Sequence, residues 1–158
     1  MRIIGIDPGT GILGFGVIDV AARGKCTLVD AGVVRTRPHQ PLDERLVEIY
    51  EALQEVITET KPAIMVIEKL FFAQNITTAM SVSHARGVVM LAGKQAGLEI
   101  AEYTPLQIKQ AITGYGRAEK KQMQEMGRVI LGLTEHPQPD DCADALAAAI
   151  CHSMTIRV

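Results

Sequence analysis

Hydrophobic positions in the first part of the chain fall into short apolar runs followed by one stretch with helical spacing. The runs Arg2–Asp7, Phe15–Val20 and Cys26–Val34 predict three strands, and the turn residues between them favour an antiparallel meander. From residue 42 to residue 60, apolar residues recur at helical intervals, which predicts an amphipathic helix.

Strands and helices alternate in the rest of the chain. Ala63–Ile67 and Leu98–Tyr103 predict a fourth and a fifth strand, separated by a helix that starts at Thr77 or Thr78 and ends near Gly97. Three further helices are predicted: Pro105 to about Thr113 after a Thr104 cap, Ala118–Leu131, and one that starts at Asp140 or Asp141.

This order of elements predicts the α/β fold class. Three antiparallel strands followed by strand–helix units give a five-stranded mixed sheet, in which an antiparallel meander is joined to parallel strands and helices flank the faces. A chain of 158 residues without an internal linker predicts a single domain over residues 1–158.

Composition restricts the core and the compartment. Hydrophobic residues make up 47% of the chain and aromatic residues only 4%, so the core must be aliphatic. We expect neither a signal peptide nor a membrane span. The three cysteines form no CxxC pair and are expected to be buried thiols, which together predicts a cytoplasmic protein.

Charge is unevenly distributed although the net charge is only −2. Residues 42–59 carry six acidic side chains and one basic one, whereas residues 105–128 carry five basic and two acidic ones. A polyanion would bind the second segment and avoid the first. Two solvated helix faces would explain the same pattern without a ligand.

Carboxylates stand where buried elements begin or end. Asp7 and Glu68 close two apolar runs, and Asp141 and Asp144 lie three residues apart on one face of the last helix. Each has an ordinary explanation, such as a turn-shaping aspartate or an acid at the positive end of a helix. If all four converge, however, they need compensating cations, and hard divalent ions with oxygen ligands are the usual solution. This set favours metal-dependent hydrolysis of phosphodiesters.

A second interpretation comes from the glycines around the first turn. The segment Asp7–Thr10 also fits the first phosphate loop of actin-like ATPases and sugar kinases. Those proteins need two related domains and a second phosphate loop, for which this chain is too short. We therefore favour the nuclease interpretation.

Several motifs together resemble the RuvC family of Holliday-junction resolvases, in the RNase H-like superfamily, and they cover essentially the whole chain in the family order. They are Ile4–Thr10, Ile67–Phe71, Ala85–Gly87, Gln107–Gln110, Gly116–Lys120 and Asp141–Ala147. The resemblance implies an RNase H-like sheet and a Mg²⁺-dependent endonuclease. It implies two ions per site, with Mn²⁺ able to substitute.

The resemblance also implies roles for individual residues. Asp7, Glu68, Asp141 and Asp144 match the four metal-binding acidic residues of the family. Asp140 lies next to Asp141 and could share its role. Further matches concern DNA: Phe71 for base stacking, with Phe72 beside it as an alternative, and Lys109 and Lys120 near the scissile phosphate, extended by Arg117 and Lys121.

The implied function is resolution of Holliday junctions by paired, symmetric nicks during recombination and repair. A two-fold homodimer suits this task because it presents two identical sites to opposed strands. The family also implies a branch-migration helicase complex, RuvA and RuvB, as partner. The alternatives are an RNase H-like nuclease acting on another nucleic acid, such as precursor rRNA, and a non-catalytic junction-binding module.

Overall fold

The computed structural model describes residues 1–69 and 76–156. Three strands begin the chain, two further strands alternate with helices, and helices end it. The strands are β1 (Arg2–Asp7), β2 (Ile12–Val20), β3 (Cys26–Arg35), β4 (Ile64–Glu68) and β5 (Glu99–Tyr103). The helices are α1 (Leu42–Thr60), α2 (Ile76–Gln95), α3 (Pro105–Thr113), α4 (Lys120–Leu131) and α5 (Asp140–Thr155), with a 3₁₀ turn at Ala22–Gly24.

The five strands form one mixed sheet in the order β3-β2-β1-β4-β5. β1, β2 and β3 pair antiparallel, whereas β1, β4 and β5 pair parallel. The predicted α/β fold class, with its antiparallel meander joined to parallel strands, is therefore confirmed. Ile6 pairs with Ile67, so the next residues, Asp7 and Glu68, lie at the same edge of the sheet.

Helices cover both faces of the sheet with aliphatic side chains. On one face α5 packs against β1 and β2 and is itself covered by α3 and α4, while α1 and α2 cover the other face. Helix α5 is buried from Cys142 to Ser153 except at Asp144, which is half-buried. A helix that is apolar all round belongs in the interior, as its run of alanines predicts.

Glycine lets α5 lie directly on the sheet. A Cβ atom on Gly5, in the middle of β1, would stand 2.0 Å from the carbonyl oxygen of Ala145 and 2.9 Å from the amide nitrogen of Ala149. No side chain fits at that distance, so the close approach of helix and strand requires glycine here.

Several element ends differ from the predictions. β2 begins at Ile12 instead of Phe15, because the hairpin pairs up to Ile12 and Arg35. α4 begins at Lys120 instead of Ala118, because Glu119 caps it. The predicted Thr104 cap is confirmed, and it forms a capping box with Gln107.

The three cysteines are buried free thiols, as expected. In residues 1–69 and 76–156, no helix is long and apolar enough to cross a bilayer.

Candidate metal and nucleic-acid site

Two strands bring the first pair of candidate carboxylates together. Asp7 ends β1 and Glu68 ends β4, and these strands are neighbours in the parallel part of the sheet. Both side chains are half-buried. The carboxyl ends of adjacent parallel strands meet at one edge, where open α/β sheets commonly bind ligands.

Helix α5 brings the second pair to the same edge. A Cβ atom on Gly14 would stand 2.0 Å from the carbonyl oxygen of Asp141 and 3.1 Å from its Cβ atom, so the start of α5 touches β2 directly. Gly14 is the pairing partner of Asp7. Asp141 therefore lies beside the strand end that carries Asp7, and Asp144 follows one turn further along α5.

Electrostatics shows that these carboxylates act on one another. Burial, reinforced by the charges of Glu68, Asp144 and Asp141, raises the pKa of Asp7 to about 7. Burial, together with Asp144, also raises the pKa of Glu68. Burial raises the pKa of Asp144 although the Lys120 ammonium opposes the shift. Carboxylates that lie close together retain protons at higher pH when no cation neutralises their charges.

Two lysines stand at the rim of this cluster. A cavity of about 260 Å³ is lined by Glu68, Asp144, Lys109 and Lys120 together with apolar side chains. The Nζ atom of Lys120 lies 3.3 Å from Oδ2 of Asp144, and the positive charge of Lys109 opposes the rise in the pKa of Glu68. Both lysines can therefore meet a phosphate that enters the cavity.

Adjacent aspartates at the start of α5 take different environments. The Asp140 side chain is 52% exposed and contacts Lys120 at 3.2 Å and the Gln124 amide at 2.9 Å. Asp141, and not Asp140, is among the charges that raise the pKa of Asp7. This difference favours Asp141 as the residue that faces Asp7.

The donor set suits a hard divalent cation. It consists of carboxylate oxygens, and burial, together with neighbouring acidic charges, raises the pKa values of Asp7, Glu68 and Asp144, so a cation would stabilise their charged forms. In the part of the chain that the structure describes, no three acidic, histidine or cysteine side chains already surround a common metal position. The residues thus fit such an ion by chemistry and charge, while full coordination requires side-chain movement or oxygens from a ligand.

The remaining predicted DNA contacts fall into two groups. Arg117 and Lys121 line a separate groove of about 790 Å³ next to α4, together with the exposed Tyr115. Phe71 and Phe72 lie outside the described residues. The predicted basic surface is therefore divided, with Lys109 and Lys120 toward the carboxylates and the other two cations in the second groove.

A third basic feature was not predicted from the sequence. Arg35, Arg37 and Arg45 line one groove beside the turn that follows Asp7. The signal was present as the Arg-Thr-Arg segment at the end of the predicted third strand, but Arg45 belongs to a helix whose other charges are acidic. Only the packing of α1 against the hairpin brings the three together.

The shifted pKa of Asp7 predicts how stability depends on pH. Without metal, the folded protein keeps a proton on Asp7 up to about pH 7, whereas the unfolded chain loses it near the ordinary value of 3.8. Stability should therefore fall as pH rises from about 4 to about 7. Asp7→Asn should reduce this fall, to which Glu68 and Asp144 also contribute, and, in EDTA at pH 8, raise the free energy of unfolding by roughly 2–4 kcal/mol.

Urea unfolding in EDTA at pH 4 and pH 8 measures this effect. The wild type and Asp7→Asn should have equal free energies of unfolding at pH 4, and Asp7→Asn should be the more stable of the two at pH 8. Adding Mg²⁺ at pH 8 should reduce this difference in stability, because the ion stabilises the wild type. An equal gap at both pH values would contradict the shifted pKa.

Comparisons with known proteins agree on one family. The family model for crossover junction endodeoxyribonuclease RuvC matches residues 3–152. The chain is 51% identical to the crossover junction endodeoxyribonuclease RuvC of Desulfitobacterium hafniense over all 158 residues, covering 95% of that protein. It is 48% identical to the protein of the same description from Chloroflexus aurantiacus over 155 residues, covering 98% of this chain and 94% of that one.

A solved structure extends the comparison to three dimensions. Thermus thermophilus RuvC in complex with a Holliday junction substrate superimposes with a TM-score of 0.94 at 39% identity. The match covers 99% of this chain and 95% of that one.

Proposed function

The chain belongs to the RuvC family of crossover junction endodeoxyribonucleases, and we propose that it resolves Holliday junctions by paired, symmetric phosphodiester nicks during homologous recombination and DNA repair. The observation that carries the proposal is that Asp7, Glu68, Asp141 and Asp144 lie near one edge of the sheet, where burial and the charges of the other three raise the pKa of Asp7. Acidic residues repel DNA unless cations intervene, so a purely DNA-binding role would not favour this cluster.

The four carboxylates are proposed to hold the metal that the family requires. Mg²⁺, in two copies per site and replaceable by Mn²⁺, would supply an activated water and stabilise the leaving oxygen. The raised pKa values of Asp7, Glu68 and Asp144 support this assignment, because a cation would restore their charges. Asp141 is proposed as the fourth ligand because its charge contributes to the raised pKa of Asp7 and its backbone lies against Gly14, the pairing partner of Asp7.

Basic residues around the cluster are proposed to hold the DNA. Lys109 and Lys120 would contact the backbone near the scissile phosphate, because both line the cavity with Glu68 and Asp144. Arg117 and Lys121 would contact a more distant part of the strand from their separate groove. Phe71 is proposed to stack on an unpaired base.

A homodimer of single-domain subunits, spanning residues 1–158, is part of the proposal. Opposed nicks need two identical sites related by two-fold symmetry. Support comes from the apolar side chains that α2 exposes: Ile76 is 76% exposed, Met80 is 59% exposed and Leu91 is 52% exposed. The family relationship adds RuvA and RuvB as proposed partners, and the three free thiols support a cytoplasmic location.

One experiment separates this function from its alternatives. An end-labelled four-way junction, a linear duplex and an RNA–DNA hybrid are incubated with the protein with and without Mg²⁺. We expect symmetric nicks in the junction alone, and only with metal. Cleavage of the hybrid would favour a different nucleic-acid substrate, and junction binding without nicks under any metal would favour a non-catalytic module.

Lys109→Ala should weaken binding of the DNA phosphate backbone without changing the fold. The lysine is half-buried in the cavity wall with Glu68. We expect slower cleavage, or a plot of log affinity against log salt that is less steep by about 1. Lys25→Ala, an exposed lysine between β2 and β3, is the matched control. Equal behaviour of both variants would remove Lys109 from the DNA surface.

Phe71→Ala tests the proposed stacking residue. Loss of stacking on one base should cost about 1–3 kcal/mol, equivalent to roughly 5- to 150-fold slower cleavage. Phe72→Ala serves as comparison, and both variants are checked for unchanged thermal unfolding. A cleavage rate that responds only to Phe72→Ala would transfer the role to that neighbour.

A further inference from the structure

The arginine groove beside the β1–β2 turn has the features of an anion-binding surface. It has a volume of about 570 Å³ and is lined by Gly11, Ile12, Arg35, Thr36, Arg37, Pro38 and Arg45. No acidic residue lines it. Three guanidinium groups on so small a surface repel one another, so the groove favours a ligand with negative charge.

These arginines lack the carboxylate partners that three other arginines have. In the described ranges, Arg2, Arg86 and Arg128 each form an ion pair with a carboxylate. Within the same ranges, the three groove arginines form no ion pair within 4.0 Å. Their charges are therefore available to a ligand.

Arg45 is oriented by the turn itself. Its Nε atom donates a hydrogen bond to Oγ1 of Thr36 at 2.8 Å, and Thr36 donates to the carbonyl oxygen of Thr10 at 2.5 Å. Thr36 is only 8% exposed, and its backbone amide donates to the carbonyl oxygen of Gly11. Fixing one end of the guanidinium leaves its terminal nitrogens preorganised for planar oxygen pairs such as those of a phosphate.

The groove lies a short distance from the carboxylate cluster along the same edge of the sheet. Asp7 ends β1, and Arg35 ends β3, which is two strands away. Two strand spacings correspond to about 10 Å. This separation is short enough for one DNA strand to contact both the cluster and the groove within a few nucleotides.

We propose that Arg35, Arg37 and Arg45 bind backbone phosphates of the DNA strand that is cut, within a few nucleotides of the scissile phosphate. This inference rests on the proposed junction-cleaving function and adds a contact region on the side of Asp7 opposite Lys109 and Lys120. Guanidinium contacts to phosphates carry no base information. The groove would therefore fix the register of the strand over the carboxylates.

The test compares two double variants, each of which removes two exposed charges from one end of the β2–β3 hairpin. The double variant Arg35→Gln/Arg37→Gln alters the groove, and Arg23→Gln/Lys25→Gln removes the same charge from the 3₁₀ turn between β2 and β3, at the other end of the hairpin. Junction binding is measured in EDTA over a range of salt concentrations. We expect the groove variant to lower the steepness of log affinity against log salt by about 1–2, and the control to leave it unchanged.

A methylphosphonate scan then locates the contact. Neutral linkages are placed singly within five nucleotides of the cut. One or two positions should weaken binding by the wild type and by the control variant but not by Arg35→Gln/Arg37→Gln. If the double variant has an altered thermal midpoint, the single variant Arg37→Gln is used for the same binding measurements.

Two outcomes overturn the inference, and they are distinguishable. In the first outcome, the wild type cuts the junction, but the groove variant matches the control variant in salt dependence and in the methylphosphonate scan. This outcome would overturn the groove contact alone. A wild type that neither binds nor cuts the junction overturns the proposed function and this contact with it.

Discussion

Asp7→Asn should abolish junction cleavage and leave junction binding at the wild-type level or above it. Asp7 lies at the centre of the cluster, since Glu68, Asp141 and Asp144 all contribute to its raised pKa. Asparagine keeps the shape of the side chain but removes the charge that a divalent ion needs. Loss of an outer-shell partner of a metal already costs about 10- to 100-fold, so loss of a proposed ligand should cost more than about 100-fold in cleavage rate.

Binding should not weaken because Asp7 repels phosphates. Single-turnover cleavage in Mg²⁺ gives the rate, and a gel-shift titration in EDTA gives the affinity. Asp43→Asn, which removes an exposed acid from the first turn of α1, is the matched control. Parallel loss of binding and cleavage in Asp7→Asn would place Asp7 in the structural framework instead of the reaction.

Gly5→Ala should produce a large loss of stability although it adds only one methyl group. The added Cβ would meet backbone atoms of Ala145 and Ala149, which cannot turn aside as a flexible side chain can. Overpacking of a core costs about 1–3 kcal/mol and sometimes more. Because the collision involves the central strand and the most buried helix, we expect about 3 kcal/mol or more and a thermal midpoint lowered by roughly 6–12 °C.

Gly127→Ala is the matched control for this change. Gly127 lies within α4, and a Cβ atom there meets nothing within 4 Å. Replacing glycine by alanine in a helix interior should stabilise the protein by roughly 0.5–1 kcal/mol. Thermal unfolding of both variants measures the difference, and Gly5→Ala with a midpoint equal to that of the wild type would refute the close contact between α5 and β1.

The carboxylate cluster could be predicted because its residues mark the ends of apolar runs. Asp7 follows a strand and Asp144 precedes the most apolar helix, and both signals are local in the sequence. The rule that parallel strands share an edge places Asp7 beside Glu68. The position of Asp141 and Asp144 could not be predicted by this rule, because it depends on the contact of α5 with Gly14. The spacing to Asp144 favours Asp141 over Asp140, but the contact between Asp140 and Lys120 could not be predicted, because it joins two separate helices.

The fold was predictable for the same reason, while the arginine groove was not. The alternation of apolar and polar residues predicts which face of a helix or strand is buried in the core, and turn residues predict where that helix or strand ends. Neither reports which charged side chains from separate elements become neighbours. Arg45 lies on a helix with an acidic surface, and only the Thr36 hydrogen bond directs it toward Arg35 and Arg37. Such contacts depend on tertiary structure.

The position of α5 along the chain has a consequence for synthesis. All five strands precede this helix, yet it supplies Asp141 and Asp144 and a large part of one core layer. A chain that leaves the ribosome residue by residue can assemble its strands but lacks half of the proposed carboxylate set until α5 arrives. Nuclease competence and completion of the core would thus be acquired in one step, so that truncated or partly folded chains would not cut DNA.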